Sequence, residues 1–136
     1  MEFTLDRFRS GHEKSYEIAL REIRAGHKES HWMWYIFPQI LGLGHSTMAM
    51  YYAIQSKREA VEYWNDPILR SHMKELCREL LKQDASIDYI MGYPDNLKLR
   101  SCMTLFYLVT GESIFKNVLD KFYNGTLDAY TVHKLS

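Results

Sequence analysis

The segment HKESHWMWYIFPQILGLGHS, residues 27–46, carries the side chains of this chain best suited to chemistry. The indole faces of Trp32 and Trp34 can stack on a planar base or a cation. His31 can act as a general acid–base near neutral pH, and Lys28 can add a positive charge for a phosphate. The same aromatic residues would equally form a packed part of the core, so a core and a ligand pocket both remain open at this point.

A metal site at the histidines of this segment is the weaker interpretation. His27 and His31 are four residues apart, which on a helix would place both imidazoles on one face. However, the glutamate of an H-E-x-x-H pattern is missing from its place, because Glu29 stands in the middle of the pair. No third ligand is close in sequence, and we predict neither a metal nor another cofactor.

The ends of the segment suggest local structure. Ser30 can cap a helix that begins at the tryptophans. The free backbone N–H groups in the first turn of that helix would favour an anion. Gly42 and Gly44 allow a tight loop, but no G-x-G-x-x-G or lysine–serine pair follows. A dinucleotide-binding fingerprint and a P-loop are therefore excluded, while Gln39 remains a candidate polar side chain beside the loop.

A second polar group lies in NLKLRSCMTLF, residues 96–106. Lys98, Ser101 and Thr104 are three residues apart, nearly on one face of an otherwise apolar helix. These groups either bond neighbouring helices or line a polar pocket, in which Lys98 or Arg100 would bind an anion. A catalytic triad is not supported, because no histidine or aspartate accompanies Ser101 in sequence.

The elements that must position these residues are helical throughout. Apolar stripes predict helices over residues 12–25, 56–64, 67–83, 95–109 and 113–123, with Asp66 and Ser56 as caps. Gly11 is expected to interrupt a short preceding helix, and Thr126 to cap a last one. We predict an all-α fold, a compact single-domain bundle of seven or eight helices over residues 1–136.

Composition restricts the class of partner. The chain has 17 Lys and Arg against 17 Asp and Glu, so no overall positive charge favours generic nucleic-acid binding. It has neither a signal-peptide pattern nor the ~20 apolar residues of a membrane span. Two isolated cysteines fit a reducing compartment. These features predict a cytoplasmic protein without membrane contact.

Three stretches of the chain resemble the motifs of a small, mostly bacterial family, the domain of unknown function numbered eighteen-ten, sometimes mislabelled "calpastatin". They are GHKESHWMWYIFPQILGLGHSTMAMYYAI, DNLKLRSCMTLF and VLDKFYNGTLDAYTV. The resemblance implies a compact helical cytoplasmic protein and supplies no established reaction. Its motif falls on Lys28, Ser30, His31, Trp32, Met33, Trp34, Phe37, Pro38, Gln39, Gly42, Gly44, Ser46, Lys98, Ser101, Met103, Thr104 and Phe106. Cys102, where a serine is usual, and His27 depart from it.

The polar residues of that motif favour a ligand-binding site over a purely structural role. A hydrophobic core needs side chains that fill its volume, and it does not need particular hydrogen-bond donors. We expect a packed aromatic platform whose polar edge faces a pocket for a phosphorylated or nucleotide-like molecule, such as ADP-ribose or NAD. His31 would be the acid–base if the chain is an enzyme. The expected ligand-binding residues are Lys28, Ser30, Trp32, Trp34, Gln39, Lys98, Arg100, Ser101 and Thr104.

Two alternatives remain open at the level of sequence. The same pocket would serve a binding module, for a ligand or a protein, that performs no reaction. The motif would instead mark a homo-oligomer interface if its apolar side chains were exposed, and the residues of that patch would be Trp32, Met48, Met50, Tyr51 and Tyr52.

Overall fold

The computed structural model describes residues 3–136, which form nine α-helices and no β-strand. The predicted all-α class is confirmed, and the additional helices are short ones. In chain order the helices are α1 Asp6–Arg24, α2 Met33–Ile36, α3 Thr47–Tyr52, α4 Lys57–Asn65, α5 Pro67–Leu81, α6 Ile87–Met91, α7 Asp95–Thr110, α8 Ser113–Tyr123 and α9 Ala129–Leu135.

Helix α7 lies at the centre of the fold, as its apolar sequence predicts. It contacts α4, α6, α8 and α9, and residues 101–106 are all buried, which leaves no solvent-facing stripe in that part of the helix. Helix α5 packs on α1, α8 and α4. The polar side chains of α7 must therefore find partners inside the protein or line a pocket.

The helix ends follow the predicted cap chemistry in two places. Asp66 accepts hydrogen bonds from the N–H groups of Ile68 and Leu69, and Pro67 occupies the first turn of α5. Ser56 accepts a hydrogen bond from the N–H of Glu59 at the start of α4. Both side chains satisfy backbone donors that have no partner within their helix.

Two predicted boundaries outside residues 27–46 are wrong. Gly11 does not interrupt a helix, because α1 runs through it without a break. The glycine instead allows the ring of Tyr35 to approach, since a Cβ at Gly11 would lie 2.5 Å from that ring. Thr126 does not cap the last helix; Asp128 caps it, accepting a hydrogen bond from the N–H of Thr131.

A buried ion pair fixes the chain around α3 to α1. Both terminal nitrogens of Arg7 donate to the carboxylate of Glu59, at 2.6 and 3.0 Å. The same guanidinium donates to the backbone carbonyls of Tyr51 and Ala53, at 2.9 and 2.8 Å. This pairing satisfies both buried charges and places α3 against the start of α1.

No helix in the described part of the chain is long and apolar enough to cross a membrane.

Candidate functional site

Glu22 of α1 holds the segment between α1 and α2 in place. Its buried carboxylate accepts hydrogen bonds from the backbone N–H groups of Glu29 and Ser30 and from Trp32 Nε1, each at 2.9 Å, and from the Ser30 hydroxyl. Burial raises the pKa of Glu22, but these hydrogen bonds outweigh it and lower the pKa to about 2. Glu22 is therefore a carboxylate at neutral pH.

The same contacts show where Ser30 and Trp32 lie. Ser30 is not a helix cap, because α2 begins at Met33 after Trp32 and the serine hydroxyl donates to Glu22 instead. Trp32 is 1% exposed, so its ring belongs to the core and its N–H is already bonded. Neither side chain presents a free polar group to solvent.

Lys28 and Lys98 converge on one carboxylate, although they are far apart in sequence. Lys28 Nζ lies 2.8 Å from Asp95 Oδ2, and Lys98 Nζ lies 3.8 Å from Asp95 Oδ1. Lys28 also donates to the carbonyl of Ser30 at 2.6 Å, and its side chain is only 8% exposed. With 27% of its side chain exposed, Lys98 is the more accessible of the two cations.

Trp34, Gln39 and Lys98 line a common pocket between α2, α3 and α7. Lys98 Nζ lies 6.0 Å from the centre of the Trp34 ring, at the edge of the range for a cation–π contact. Within residues 3–136 the side-chain amide of Gln39 has no hydrogen-bond partner. The rest of the lining is mostly apolar: Met33, Phe37, Ile40, Gly44, Ala49, Tyr52 and Ala53.

The walls of this pocket are held by backbone contacts. Ile54 N–H donates to the carbonyl of Gln39, and Leu41 N–H donates to the carbonyl of Ile54, at 2.8 and 2.9 Å. A Cβ at Gly44 would lie 2.5 Å from the Cβ of Ala49, so the glycine lets the loop approach α3. The enclosed volume is about 20 Å³, enough for about one water molecule.

His31 is exposed and does not line the Trp34–Lys98 pocket. Residues 27–32 are not helical, so His27 and His31 do not share a helix face as a metal pair would require. His27 Nδ1 instead lies 2.9 Å from the carbonyl of Tyr89, and its ring packs on the Tyr89 ring. Among the described residues no cluster of three or more His, Cys, Asp and Glu side chains is arranged to hold a metal.

The remaining polar residues of α7 lie elsewhere. Ser101 donates to the carbonyl of Leu97 at 3.2 Å, and Thr104 donates to that of Arg100 at 2.8 Å, so both hydroxyls are bonded within the helix. Thr104 Oγ1 also accepts from the N–H of Asp128 at 2.9 Å. Arg100 lies 4.0 Å from the Asp128 carboxylate, away from the Trp34–Lys98 pocket, and its buried Nε has no partner within residues 3–136.

Two residues that organise this region, Glu22 and Asp95, were not predicted as site residues. The neighbouring sequence does not distinguish Glu22 from the other acidic residues of α1. Its hydrogen-bond partners lie in the segment after α1, and they reach Glu22 only because the chain reverses direction there. Asp95 had a weak signal, because it lies three residues before Lys98 at the start of a predicted helix. Its pairing with Lys28 depends on the tertiary fold.

The fold matches the crystal structure of the conserved hypothetical protein Rv1873 from Mycobacterium tuberculosis, with a TM-score of 0.95 and 41% sequence identity. The match covers 98% of this chain and 96% of that one. No curated protein matches the chain. Residues 2–135 match the family described as "Protein of unknown function (DUF1810)", which agrees with the resemblance seen in the sequence, and the chain belongs to that family.

Proposed function

We propose that this protein binds a small phosphorylated or nucleotide-like molecule at the Trp34–Lys98 pocket. The observation that carries the proposal is that an indole face, an ammonium group and an amide that bonds no residue of 3–136 line the same pocket. Trp34 would stack on the base, Lys98 would neutralise a phosphate oxygen, and Gln39 would bond the base or the sugar. ADP-ribose and NAD combine these features.

The small enclosed volume places the ligand at the mouth of the pocket. About one water molecule fits inside, so a base binds over the exposed part of Trp34 or after neighbouring side chains move. Tyr52 and Lys98 are both partly exposed, so their side chains, rather than the backbone of α3 that Arg7 holds, would make room for the base.

The charges around the pocket limit the affinity for phosphate. Lys28 and Lys98 share Asp95, so these three groups leave one net positive charge. Lys28 is buried in contacts with protein, and its role is to fix Asp95 and the segment before α2 rather than to meet the ligand. The proposed ligand therefore carries few phosphates, and its base supplies much of the binding energy.

The proposal concerns binding rather than turnover. His31 lies outside the lining of the pocket, so acid–base catalysis by His31 stays a prediction of the sequence. The cytoplasm stays the proposed compartment, because Cys77 and Cys102 are free buried thiols that suit a reducing environment.

Thermal unfolding with ADP-ribose, ADP, ribose 5-phosphate and inorganic phosphate tests the proposal. A ligand at a hundred times its Kd adds about 2.7 kcal/mol, which raises the Tm by several degrees. Lys98→Ala is expected to weaken binding about tenfold or more, whereas Lys14→Ala, an exposed lysine of α1, leaves it unchanged. Equal binding by the Lys98 variant, or no shift from any of the four compounds, would overturn it.

A second candidate function, self-association, is favoured by an exposed apolar patch on α3. The patch consists of Met48, Met50 and Tyr51, which are 40, 51 and 40% exposed. The expected patch also contained Trp32, which is buried, and Tyr52, which is half-buried, so those two do not belong to it.

Light scattering of the purified protein tests this alternative. If the patch joins two copies, the wild type has the mass of a dimer or larger assembly, and Met50→Lys reduces it to that of one chain. The exposed substitution Val61→Lys, on α4, is the matched control and keeps the assembly. A wild type that remains a single chain at all concentrations excludes this function.

A further inference from the structure

Asp95 contacts the two lysines beside the Trp34–Lys98 pocket unequally. Its Oδ2 lies 2.8 Å from Lys28 Nζ, whereas its Oδ1 lies 3.8 Å from Lys98 Nζ. The first contact is a hydrogen-bonded ion pair, and the second is too long for a hydrogen bond. Asp95 is therefore paired with Lys28, and the ammonium group of Lys98 keeps its N–H donors for another acceptor.

Lys28 does not serve as a second cation for the ligand. Its side chain is 8% exposed, and besides Asp95 it contacts the carbonyl of Ser30 at 2.6 Å and the ring of Trp32, whose centre lies 4.9 Å from Nζ. The charges of Lys28 and Asp95 therefore balance each other within the protein. An anion in the pocket meets the charge of Lys98 and no other free cation of this group.

The lining of the pocket limits how much negative charge a ligand can place there. Among the described residues of the lining, Lys98 is the only charged one, and most of the others are apolar. The cost of taking an ion out of water grows with the square of its charge, whereas its attraction to one ammonium group grows only in proportion to the charge. A second negative charge on the same phosphate is also repelled by Asp95, whose carboxylate lies beside Lys98. The pocket therefore disfavours a doubly charged phosphate.

We propose that the Trp34–Lys98 pocket selects a phosphate esterified on both sides, which carries a single negative charge, and that Asp95 sets this preference. The inference rests on the proposed function and names the phosphate class of its ligand. A phosphate with one ester bond carries about −1.5 to −2 charges at pH 7, because its second pKa is about 6. A phosphate with two ester bonds has no second proton to lose. Each bridging phosphate of ADP-ribose belongs to this class, whereas the terminal phosphate of ADP does not.

The position of Asp95 makes it the specificity-determining residue. Asp95 and Lys98 are three residues apart at the start of α7, so they lie on one face of the helix. An asparagine at position 95 keeps the size of the side chain and removes its charge. Lys28 and Lys98 are then both uncompensated, so the net charge of this group rises by one, and a second negative charge on the phosphate is balanced.

Calorimetric titration with adenosine 5′-monophosphate and with its methyl ester tests the inference. The two compounds have the same base and sugar, and at pH 7.5 they differ by about one charge on the phosphate. The wild type is expected to bind the methyl ester about three- to tenfold more tightly. Asp95→Asn is expected to lose this preference and to bind the monophosphate at least as tightly as the ester. Asp84→Asn, at an exposed position outside the lining, is the matched control and keeps the wild-type preference.

A measurement on the wild type covers the case in which Asp95→Asn fails to fold. At pH 5.5 most of the monophosphate carries one negative charge, because its second pKa is about 6, so the preference for the ester should shrink to less than about twofold. The charge of the ester stays the same between pH 7.5 and 5.5. The ratio of the two Kd values therefore cancels any change in the protein itself.

Four results would overturn the inference. Equal or tighter binding of the monophosphate by the wild type at pH 7.5, an unchanged preference in a folded Asp95→Asn protein, or an unchanged preference at pH 5.5 would each do so and would leave the proposed function intact. Binding of neither compound would overturn the proposed function together with the inference.

Discussion

His12 and His72 face each other across the contact of α1 and α5, with their Nδ1 atoms 2.9 Å apart. His12 Nε2 lies 3.0 Å from the carbonyl of Tyr35, which can only accept, so this nitrogen carries the hydrogen. His12 Nδ1 is then the acceptor, and His72 Nδ1 donates to it. A proton added to His12 Nδ1 would place two N–H groups face to face.

This pair predicts that the protein loses stability in mild acid. Burial and the neighbouring His72 lower the pKa of His12 to about 4, from an ordinary value of 6.5. Below pH 6.5 the unfolded chain therefore binds a proton that the folded chain rejects, so stability is lost as the pH falls from 6.5 towards 4. The difference corresponds to about 3 kcal/mol, measurable by urea denaturation across this range.

The control for this experiment is a variant that lacks His12, because the pKa of His72 is shifted as well. Burial also lowers the pKa of His72, against the carboxylates of Glu75, Glu17 and Asp66, which raise it. His12→Gln removes the more strongly shifted group, so its stability should depend less on pH between 6.5 and 4 than that of the wild type. An equal slope in the two proteins would show that the loss comes from other groups.

Glu22→Gln is expected to destabilise the protein by about 2 kcal/mol. The carboxylate accepts four hydrogen bonds; the Gln oxygen can keep the three N–H donors and its nitrogen can donate to the Ser30 hydroxyl, but hydrogen bonds to a neutral amide are weaker than those to a carboxylate. Urea denaturation measures the change. Glu13→Gln, on an exposed position of α1, is the control and should stay within about 0.5 kcal/mol of the wild type.

The pH dependence of the free energy of unfolding gives a second test of the Glu22→Gln variant. The pKa of Glu22 is lowered, so its contribution to stability is present near pH 7 and is lost as the pH falls through 4.5 towards about 2. The Gln variant lacks this part of the acid transition. A variant as stable as the wild type at neutral pH would contradict the role assigned to Glu22 in holding the segment before α2.

The long helices could be predicted from the sequence because a stripe of apolar residues needs several turns to become visible. Helices α4, α5, α7 and α8 have such stripes, and their observed ends lie close to the predicted ones. Helices α2, α3 and α6 have four to six residues, too few for a periodic pattern, and they form where neighbouring elements hold the chain.

The candidate site was predictable in its residue types and only partly in its geometry. Trp34, Gln39 and Lys98 do line one pocket, whereas Trp32 lies in the core although its local sequence is just as aromatic. The difference arises from Glu22, whose carboxylate takes the Trp32 N–H and turns that ring inward. Such a contact between distant positions leaves no trace in local periodicity.

Gly11→Ala is expected to destabilise the protein, although alanine favours a helix. The substitution gains about 1 kcal/mol of helix propensity. The new methyl group would lie 2.5 Å from the ring of Tyr35, whose hydroxyl is bonded to Ser15 at 2.8 Å and resists movement. Overpacking of this kind costs up to about 3 kcal/mol, so the net loss is up to about 2 kcal/mol.

Thermal or urea denaturation of Gly11→Ala shows whether the gain in helix propensity or the cost of overpacking against Tyr35 is larger. Ser10→Ala, at the preceding exposed position of α1, gains propensity without a new contact and serves as the control. A Gly11 variant more stable than the wild type would mean that the Tyr35 ring moves away easily and that the glycine is dispensable.

His31→Ala separates the predicted catalytic role from a structural one. His31 is exposed, so the variant should keep its free energy of unfolding within about 0.5 kcal/mol of the wild type. It should also bind the ligand of the Trp34–Lys98 pocket with unchanged Kd, because His31 does not line that pocket. If the protein converts that ligand and His31 is its acid–base, kcat falls by a factor of about 10² to 10⁴. An unchanged kcat would show that His31 is not catalytic, whereas weaker binding would place His31 at the mouth of the pocket.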